Sequence, residues 1–195
     1  ANNFVFHSAL NGKVLALNVS TGEKIWERTL KDKIISSMAY SDGYLTAISI
    51  NGTVRTFDST SGSELWSLDI DQPVHTHPVI KGNRIIITTY EGTVLILKLK
   101  KGTIENELNY EVPFYHAVSV DERSIYLPLS DGYVVSLDVT NLKEMWASAL
   151  DGPLSTGILA TSNKVYCGTA RKYYYVLDKE TGEIIQDIEL EGRPR

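Results

Sequence analysis

The sequence predicts an all-β fold, a β-propeller built of four-stranded antiparallel blades, and three observations carry this prediction. Turn-forming residues recur every 40 residues without insertion or deletion. Hydrophobic and polar residues alternate with a period of 2, and no window of a dozen residues shows the 3.6-residue period of a helix. A repeat of about 40 residues that holds four short strands is typical of a propeller blade.

The clearest mark of the repeat is a polar residue followed by glycine. This pair occurs at Asn11-Gly12, Asn51-Gly52, Glu91-Gly92 and Asp131-Gly132, and Arg171-Lys172 takes its place in the last copy. Asn-Gly is the preferred sequence of a two-residue hairpin turn. We therefore expect such a turn between the second and third strands of each blade.

Each copy is expected to hold four strands, A to D, from the inside outward. In the second copy they are residues 34–40, 44–50, 53–58 and 63–70. The chain begins at strand B, which gives a partial repeat at about 1–32 and full repeats at 33–72, 73–112, 113–152 and 153–192, all within one propeller segment, 1–195. The tail at 191–195 matches the stretch that precedes strand A in earlier copies. This predicts a segment of a propeller of seven or eight blades, or a ring of five.

Composition excludes several classes of partner and site. The net charge is −5 and charges of both signs are interspersed, so no basic stripe predicts binding to nucleic acid. No apolar run approaches the roughly 20 residues of a membrane-spanning helix. Cys167 is the only cysteine, which excludes an internal disulfide and a metal site made of cysteines.

Polar residues at the ends of the C strands predict local turns. Asn18, Asp58, Asp138 and Asp178 share one register, and Lys98 takes the position in the third copy. An Asn or Asp side chain in this position commonly bonds its own backbone in an Asx turn. We therefore interpret these residues as turn formers and not as metal ligands.

The stretch from Ala16 to Trp26 resembles the A-x-D-x-x-T-G-x-x-x-W signature of PQQ-like (quinoprotein-type) propeller repeats. The later copies keep all or part of it. The resemblance implies that the tryptophans dock between neighbouring blades, where a ring can lie over a glycine. The residues expected in this structural role are Trp26, Trp66, Trp146, Gly22, Gly62 and Gly182. Asn106 and Gln186 replace the ring in the third and fifth copies, where we expect looser or different packing.

Proteins of this family fall into two classes. Quinoprotein dehydrogenases bind pyrroloquinoline quinone and calcium, whereas BamB-like members are non-catalytic scaffolds. A quinone site in this family needs a polar cation-binding centre, stacked aromatic rings and often an adjacent cysteine pair, and this chain has one cysteine. The resemblance therefore implies a protein- or peptide-binding scaffold without catalytic residues or cofactor, extracytoplasmic, with self-association through the terminal blades as a further expectation. A fragment of a quinoprotein-type oxidoreductase and the ligand-sensing domain of a larger receptor remain open alternatives.

The histidines are the irregular feature of the repeat. His75 and His77 fall in the expected strand A of the third copy, where residues i and i+2 share a face and two imidazoles could hold one metal with a third ligand. His116 lies in the next copy and is a candidate third ligand. We expect no metal site here and interpret these residues as lining the central channel.

Overall fold

The fold is described by a computed structural model that covers residues 3–191. Of the tail at 191–195, which was expected to lead into a further strand, residues 192–195 lie outside the described residues. The chain divides into two compact units, residues 1–89 with 94–105 and residues 90–93 with 106–195. The described residues form strands and turns and no helix, so none of them belongs to a helix that could span a membrane.

The first unit holds two sheets and most of a third. The first sheet contains β1 (Phe4–Ser8), β2 (Lys13–Asn18) and β3 (Lys24–Thr29). The second contains β4 (Ala39–Ser41), β5 (Tyr44–Ile48), β6 (Thr53–Asp58) and β7 (Glu64–Asp69). The third contains β8 (Val79–Lys81), β9 (Arg84–Thr88), β10 (Thr93–Lys98) and β11 (Ile104–Asn109).

The second unit holds the remaining two sheets. The fourth sheet contains β12 (Ser119–Val120), β13 (Ser124–Pro128), β14 (Tyr133–Asp138) and β15 (Glu144–Ala149). The fifth contains β16 (Leu159–Ala160), β17 (Lys164–Gly168), β18 (Tyr173–Asp178) and β19 (Ile184–Glu189). Neighbouring strands in sequence pair antiparallel in every sheet, which is the propeller blade that the 40-residue repeat predicts.

The innermost strand of each four-stranded blade is shorter than the sequence predicts. Residues 34–40 were expected to form strand A of the second copy, but only Ala39–Ser41 pairs with β5. The residues that precede this short first strand in each copy make hydrogen bonds outside the strand ladder. In the third copy, the Thr76 hydroxyl lies 2.9 Å from the Thr88 carbonyl oxygen and donates to it, in place of a backbone ladder. The alternation of apolar and polar residues is therefore real, but here it reflects burial without strand pairing.

The turn between the second and third strands also differs from the prediction. The Gly52 N–H donates to the Ser49 carbonyl at 3.0 Å, and the Ser49 N–H donates to the Thr53 carbonyl at 3.0 Å. Gly52 has φ 93° while Asn51 is not in the left-handed region. The loop is therefore the three-residue type, a turn followed by one left-handed residue, and not the two-residue type. A Cβ on Gly52 would also meet the Gln72 carbonyl, so only glycine fits.

Each unit has its own hydrophobic core. In the first unit, one cluster centres on Val14, Trp26 and Phe57 and another on Val54, Ile85 and Leu97. The core of the second unit gathers buried residues of the fourth and fifth sheets, among them Tyr126 and Val165. Strands at the centre of a blade are buried on both faces, since β10 is buried at all but one of its positions and β13 at all five. Sheet-on-sheet packing of this kind leaves the turns and the last strand of each sheet to carry most exposed side chains, and β19 is exposed at all six positions.

Candidate interaction surface

Three tryptophans lie over glycines of the following sheet. A Cβ built on Gly62 would lie 2.5 Å from Cδ2 of Trp26, and one on Gly182 would lie 2.5 Å from Cε3 of Trp146. The same contact joins Trp66 and Gly102. A methyl group at any of these glycines would displace the ring, and their φ angles of 66–74° are left-handed as well.

Each indole N–H is also held by the following sheet. Trp26 donates to the Ser59 carbonyl at 3.0 Å, Trp66 to that of Leu99 at 2.7 Å and Trp146 to that of Lys179 at 3.0 Å. Each acceptor lies 33 residues after its tryptophan. A buried indole needs such a partner, so ring packing and hydrogen bond together fix one orientation.

Two glycines depart from the expected set. Gly22 has φ 72° but nothing lies within 4 Å of where its Cβ would be, so no described ring covers it. Gly102, which the sequence reasoning left out of its docking set, lies under Trp66. The signal that could have found it is the register, because each ring covers the glycine 36 residues after its own tryptophan.

The third copy uses a different pair at the same place. Asn106 stands where the other copies have tryptophan, and its Nδ2 donates to the Thr140 carbonyl at 2.8 Å. Leu142 stands where the glycine would be, with φ 58°, and its side chain is 6% exposed. A smaller side chain on one strand is thus matched by a larger one on the following turn.

The predicted Asx turns are confirmed. Oδ1 of Asp58 accepts hydrogen bonds from the N–H groups of Thr60 and Ser61 at 3.1 and 2.8 Å. Asn18, Asp138 and Asp178 make the same pair of bonds. These bonds, with the backbone bond from Ser61 first, hold the pKa of Asp58 below its usual value. The residues therefore serve the turn.

The histidine prediction is partly wrong. His75 and His77 do not lie in a strand, because β8 begins at Val79, although both are exposed while Thr76 between them is buried. In the second unit, burial lowers the pKa of His116, against the opposing effect of its hydrogen bond with the Leu154 backbone. Within residues 3–191, no group of three or more His, Cys, Asp or Glu side chains could hold a metal ion. The expectation that these residues bind no metal stays a prediction.

An exposed aromatic pair lies at one end of the second unit. Tyr90 begins the turn before β10, and Tyr115 lies in the connection before β12. Their ring centroids are 5.6 Å apart and the rings are nearly perpendicular, at 82°. A hydrogen bond between the hydroxyls raises the pKa of Tyr115. Tyr90 is 40% exposed and Tyr115 is 51% exposed, so both rings present aromatic surface to solvent.

Two acidic residues lie in the same turn region as this pair. Glu91 follows Tyr90, and the Glu111 backbone lies against the same turn, since its nitrogen would be 3.0 Å from a Cβ on Gly92. The Tyr110 N–H donates to the Gly92 carbonyl at 2.9 Å and holds the two segments together. We call Tyr90, Glu91, Glu111 and Tyr115 the tyrosine face.

A charged cleft opens elsewhere in the second unit. It has a volume of about 150 Å³ and is lined by Asp121, Arg123, Met145 and Lys179 among others. Lys179 Nζ lies 2.7 Å from Oδ2 of Asp121, and the N–H groups of Arg123 and Ser124 donate to Oδ1 at 2.8 Å. The Asp121 carboxylate is thus fully bonded within the protein, which favours a structural role.

The fold and these contacts define a propeller protein of the PQQ-like repeat class. The family model described as outer membrane protein assembly factor BamB matches residues 10–140, and the chain belongs to this family.

The relatives are distant. BamB of Shewanella oneidensis is 23% identical over 209 residues, which cover 98% of this chain and 52% of that protein. The chain therefore spans about half the length of this curated relative, and less of two others. The crystal structure of BamB from Moraxella catarrhalis matches with a TM-score of 0.72 at 13% identity, over 100% of this chain and 75% of that one. A quinohemoprotein alcohol dehydrogenase from Comamonas testosteroni matches with a TM-score of 0.82 at 13% identity, over 96% and 42%. Likeness at such low identity shows the fold alone.

Proposed function

We propose that this chain is part of a non-catalytic scaffold that binds a protein or peptide partner outside the cytoplasm, in the assembly of outer-membrane proteins. Membership of the family supports a role in the assembly of outer-membrane proteins, and one observation supports the binding of a partner. The residues that hold the blades together recur from copy to copy, whereas two turn positions vary. These positions hold Leu10 and Ile35, Ile50 and His75, Tyr90 and Tyr115, and Ser130 and Ser155.

Four of these eight side chains offer exposed apolar or aromatic contact surface. Leu10 and Ile35 are 66% and 43% exposed in the first unit, and the tyrosine pair is similarly exposed in the second. Binding residues commonly lie on loops that a rigid framework positions, and aromatic side chains are enriched where proteins bind each other. Exposed apolar side chains at these turns therefore support recognition of a protein partner.

The alternative is that the chain is a fragment of a quinoprotein-type oxidoreductase. It is supported by the similarity of the fold to that of quinohemoprotein dehydrogenases. The single cysteine supports the scaffold instead. Cys167 lies in β17 and is 1% exposed, and burial raises the pKa of its thiol to about 12. It behaves as a small buried apolar residue, and a single thiol cannot supply the adjacent cysteine pair that quinone sites of this family often contain.

Photo-crosslinking in the native bacterium tests the proposal. A photoreactive phenylalanine replaces Tyr115 in the full-length protein, and a control carries it at Ile185, a residue of β19 with the same 51% exposure. We expect a discrete crosslinked protein of the outer-membrane assembly machinery from position 115 and none from position 185. Deletion of the gene should lower the amount of folded β-barrel protein in the outer membrane. Absence of both effects would overturn the proposal. A saturable absorbance change on titration with pyrroloquinoline quinone and calcium would favour the oxidoreductase instead.

A further inference from the structure

The tyrosine face combines features that favour a cation. The edge-to-face contact of Tyr90 and Tyr115 leaves ring surface open to solvent on both residues. The faces of aromatic rings carry partial negative charge and attract Lys, Arg and ligand cations. The edge-to-face contact, with the hydrogen bond between the two hydroxyls, favours one arrangement of the rings and reduces the side-chain freedom lost on binding.

The carboxylates of the tyrosine face form no ion pair within the part of the chain that the structure describes. Many acidic side chains of this chain are paired, as Glu27 is with Lys13 and Lys24, Glu105 with Arg84, and Asp151 with Arg171. Among the described residues, neither Glu91 nor Glu111 forms an ion pair. Both are exposed. Two negative charges that form no ion pair within residues 3–191 lie in the same turn region as an exposed aromatic pair, and this combination is complementary to a positively charged side chain.

The chemistry of these groups favours arginine. A guanidinium group is planar and stacks on aromatic faces while its N–H groups donate in pairs to carboxylates. A lysine ammonium is a compact and strongly hydrated charge that gains less from stacking. We infer that the tyrosine face docks an arginine side chain of an extended basic segment in a partner protein. This inference rests on the proposed scaffold function and specifies the chemistry of its partner.

A peptide titration tests the inference. The probe is tetra-arginine with acetylated and amidated ends, titrated by calorimetry into the full-length protein, with tetra-lysine for comparison. We expect tetra-arginine to bind at least about threefold more tightly than tetra-lysine. Tyr115→Leu should weaken tetra-arginine binding about fivefold, because it keeps apolar volume and removes the aromatic surface. The double variant Glu91→Gln/Glu111→Gln should weaken it by a similar factor, and added salt should weaken binding to the unmodified protein.

Matched variants control for overall charge and for exposed tyrosine. Glu183→Gln/Glu189→Gln removes the same two charges from exposed positions at and near β19. Tyr40→Leu removes a tyrosine that is 41% exposed in β4. Both should change the affinity for tetra-arginine less than twofold. Tyr115→Phe keeps the ring and should retain most of the binding. Thermal unfolding midpoints of all variants establish that each is folded.

The outcomes separate this inference from the proposed function. Equal affinities for tetra-arginine in the unmodified protein, Tyr115→Leu and the Glu91/Glu111 double variant would overturn arginine recognition. If the photoreactive residue at position 115 still captures an assembly protein, the scaffold function stands with a partner of other chemistry. If neither capture nor the deletion effect is observed, the scaffold function itself fails.

Discussion

Leu142 occupies the glycine position opposite Asn106, at the junction where asparagine replaces tryptophan. Elsewhere a ring lies over a glycine, as Trp146 does over Gly182. Here the Asn106 amide keeps a hydrogen bond to the following turn, at 2.8 Å, while Leu142 is buried at φ 58°. A left-handed φ costs a leucine roughly 1–2 kcal/mol. We interpret its retention as compensation, in which the leucine fills volume that the missing ring would occupy.

Exchange of this pair for tryptophan and glycine tests the compensation. Asn106→Trp alone should destabilise the protein by about 1–3 kcal/mol, because the ring overpacks the site that Leu142 fills. Leu142→Gly alone should also destabilise it, since the lost apolar burial outweighs the relief of backbone strain. The double variant should be more stable than the sum of the two changes predicts, by about 1 kcal/mol or more. Urea unfolding of the four proteins measures this coupling.

Additive effects within about 0.5 kcal/mol would contradict the compensation, because residues that do not share a packing site behave independently. Fluorescence offers a separate check. A tryptophan accommodated at position 106 should emit as a buried indole in the double variant, and its emission should shift to longer wavelength if it is excluded from the junction.

Two glycines with similar φ angles separate backbone strain from ring contact. Gly62 has φ 68° and lies under Trp26, whereas Gly22 has φ 72° and nothing within 4 Å of its Cβ position. Gly22→Ala should cost roughly 1 kcal/mol, the strain of a left-handed alanine. Gly62→Ala should cost about 1–3 kcal/mol more, because the methyl group displaces the ring. Chemical denaturation of both variants gives the comparison, and equal costs would mean that the ring moves aside freely.

The blade architecture was accessible from the sequence because it is set by local signals. The period of 2 and the turn residues at 40-residue intervals identify the strands to within a few residues. The innermost strand was overestimated because the alternation of buried and exposed residues persists from Val74 to Pro78, where the backbone forms no strand. Hydrophobic periodicity reports which side chains are buried, not where the backbone hydrogen bonds go.

The tyrosine face was not accessible in the same way. Tyr90 and Tyr115 lie in different copies of the repeat, and only the folded chain brings their rings together. The sequence did not predict that Asn106 and Leu142 share one junction for the same reason. In the sequence, each of them is simply a position where the repeat motif is lost. Register arithmetic across copies predicts which positions meet. It does not predict whether a substitution there is compensated.

Trp146 and the histidine pair should differ strongly in their effect on stability. Trp146→Ala removes a ring that is 8% exposed and hydrogen-bonded, and should cost about 3–5 kcal/mol. His75→Ala combined with His77→Ala changes two exposed side chains and should cost no more than about 1 kcal/mol. Zinc titration followed by melting temperature completes the test. A saturable rise that the double histidine variant abolishes would show that the pair binds metal.

The pair formed by Asp121 and Lys179 predicts an acid-sensitive part of the stability. Burial raises the pKa of Asp121, but hydrogen bonds from Lys179 and from the Arg123 and Ser124 backbone outweigh it and leave the pKa below its ordinary value of 3.8. A carboxyl whose pKa is lower in the folded state contributes stability above its unfolded pKa, and this contribution is lost as the pH falls through the folded value. It should therefore be complete at pH 7 and decline below about pH 4.

Asp121→Asn makes this contribution measurable. The variant keeps the side-chain volume but leaves the Lys179 ammonium, whose side chain is 15% exposed, without its anion. We expect a loss of about 1–3 kcal/mol at pH 7. At pH 3 the difference between the two proteins should be smaller, because the unmodified carboxyl then begins to bind a proton. Glu183→Gln, a change at an exposed turn, should show no comparable difference at either pH. If the stability difference between Asp121→Asn and the unmodified protein stays constant from pH 7 to pH 3, the asparagine acts through packing. A contribution from the Asp121–Lys179 ion pair would decrease as the Asp121 carboxylate binds a proton.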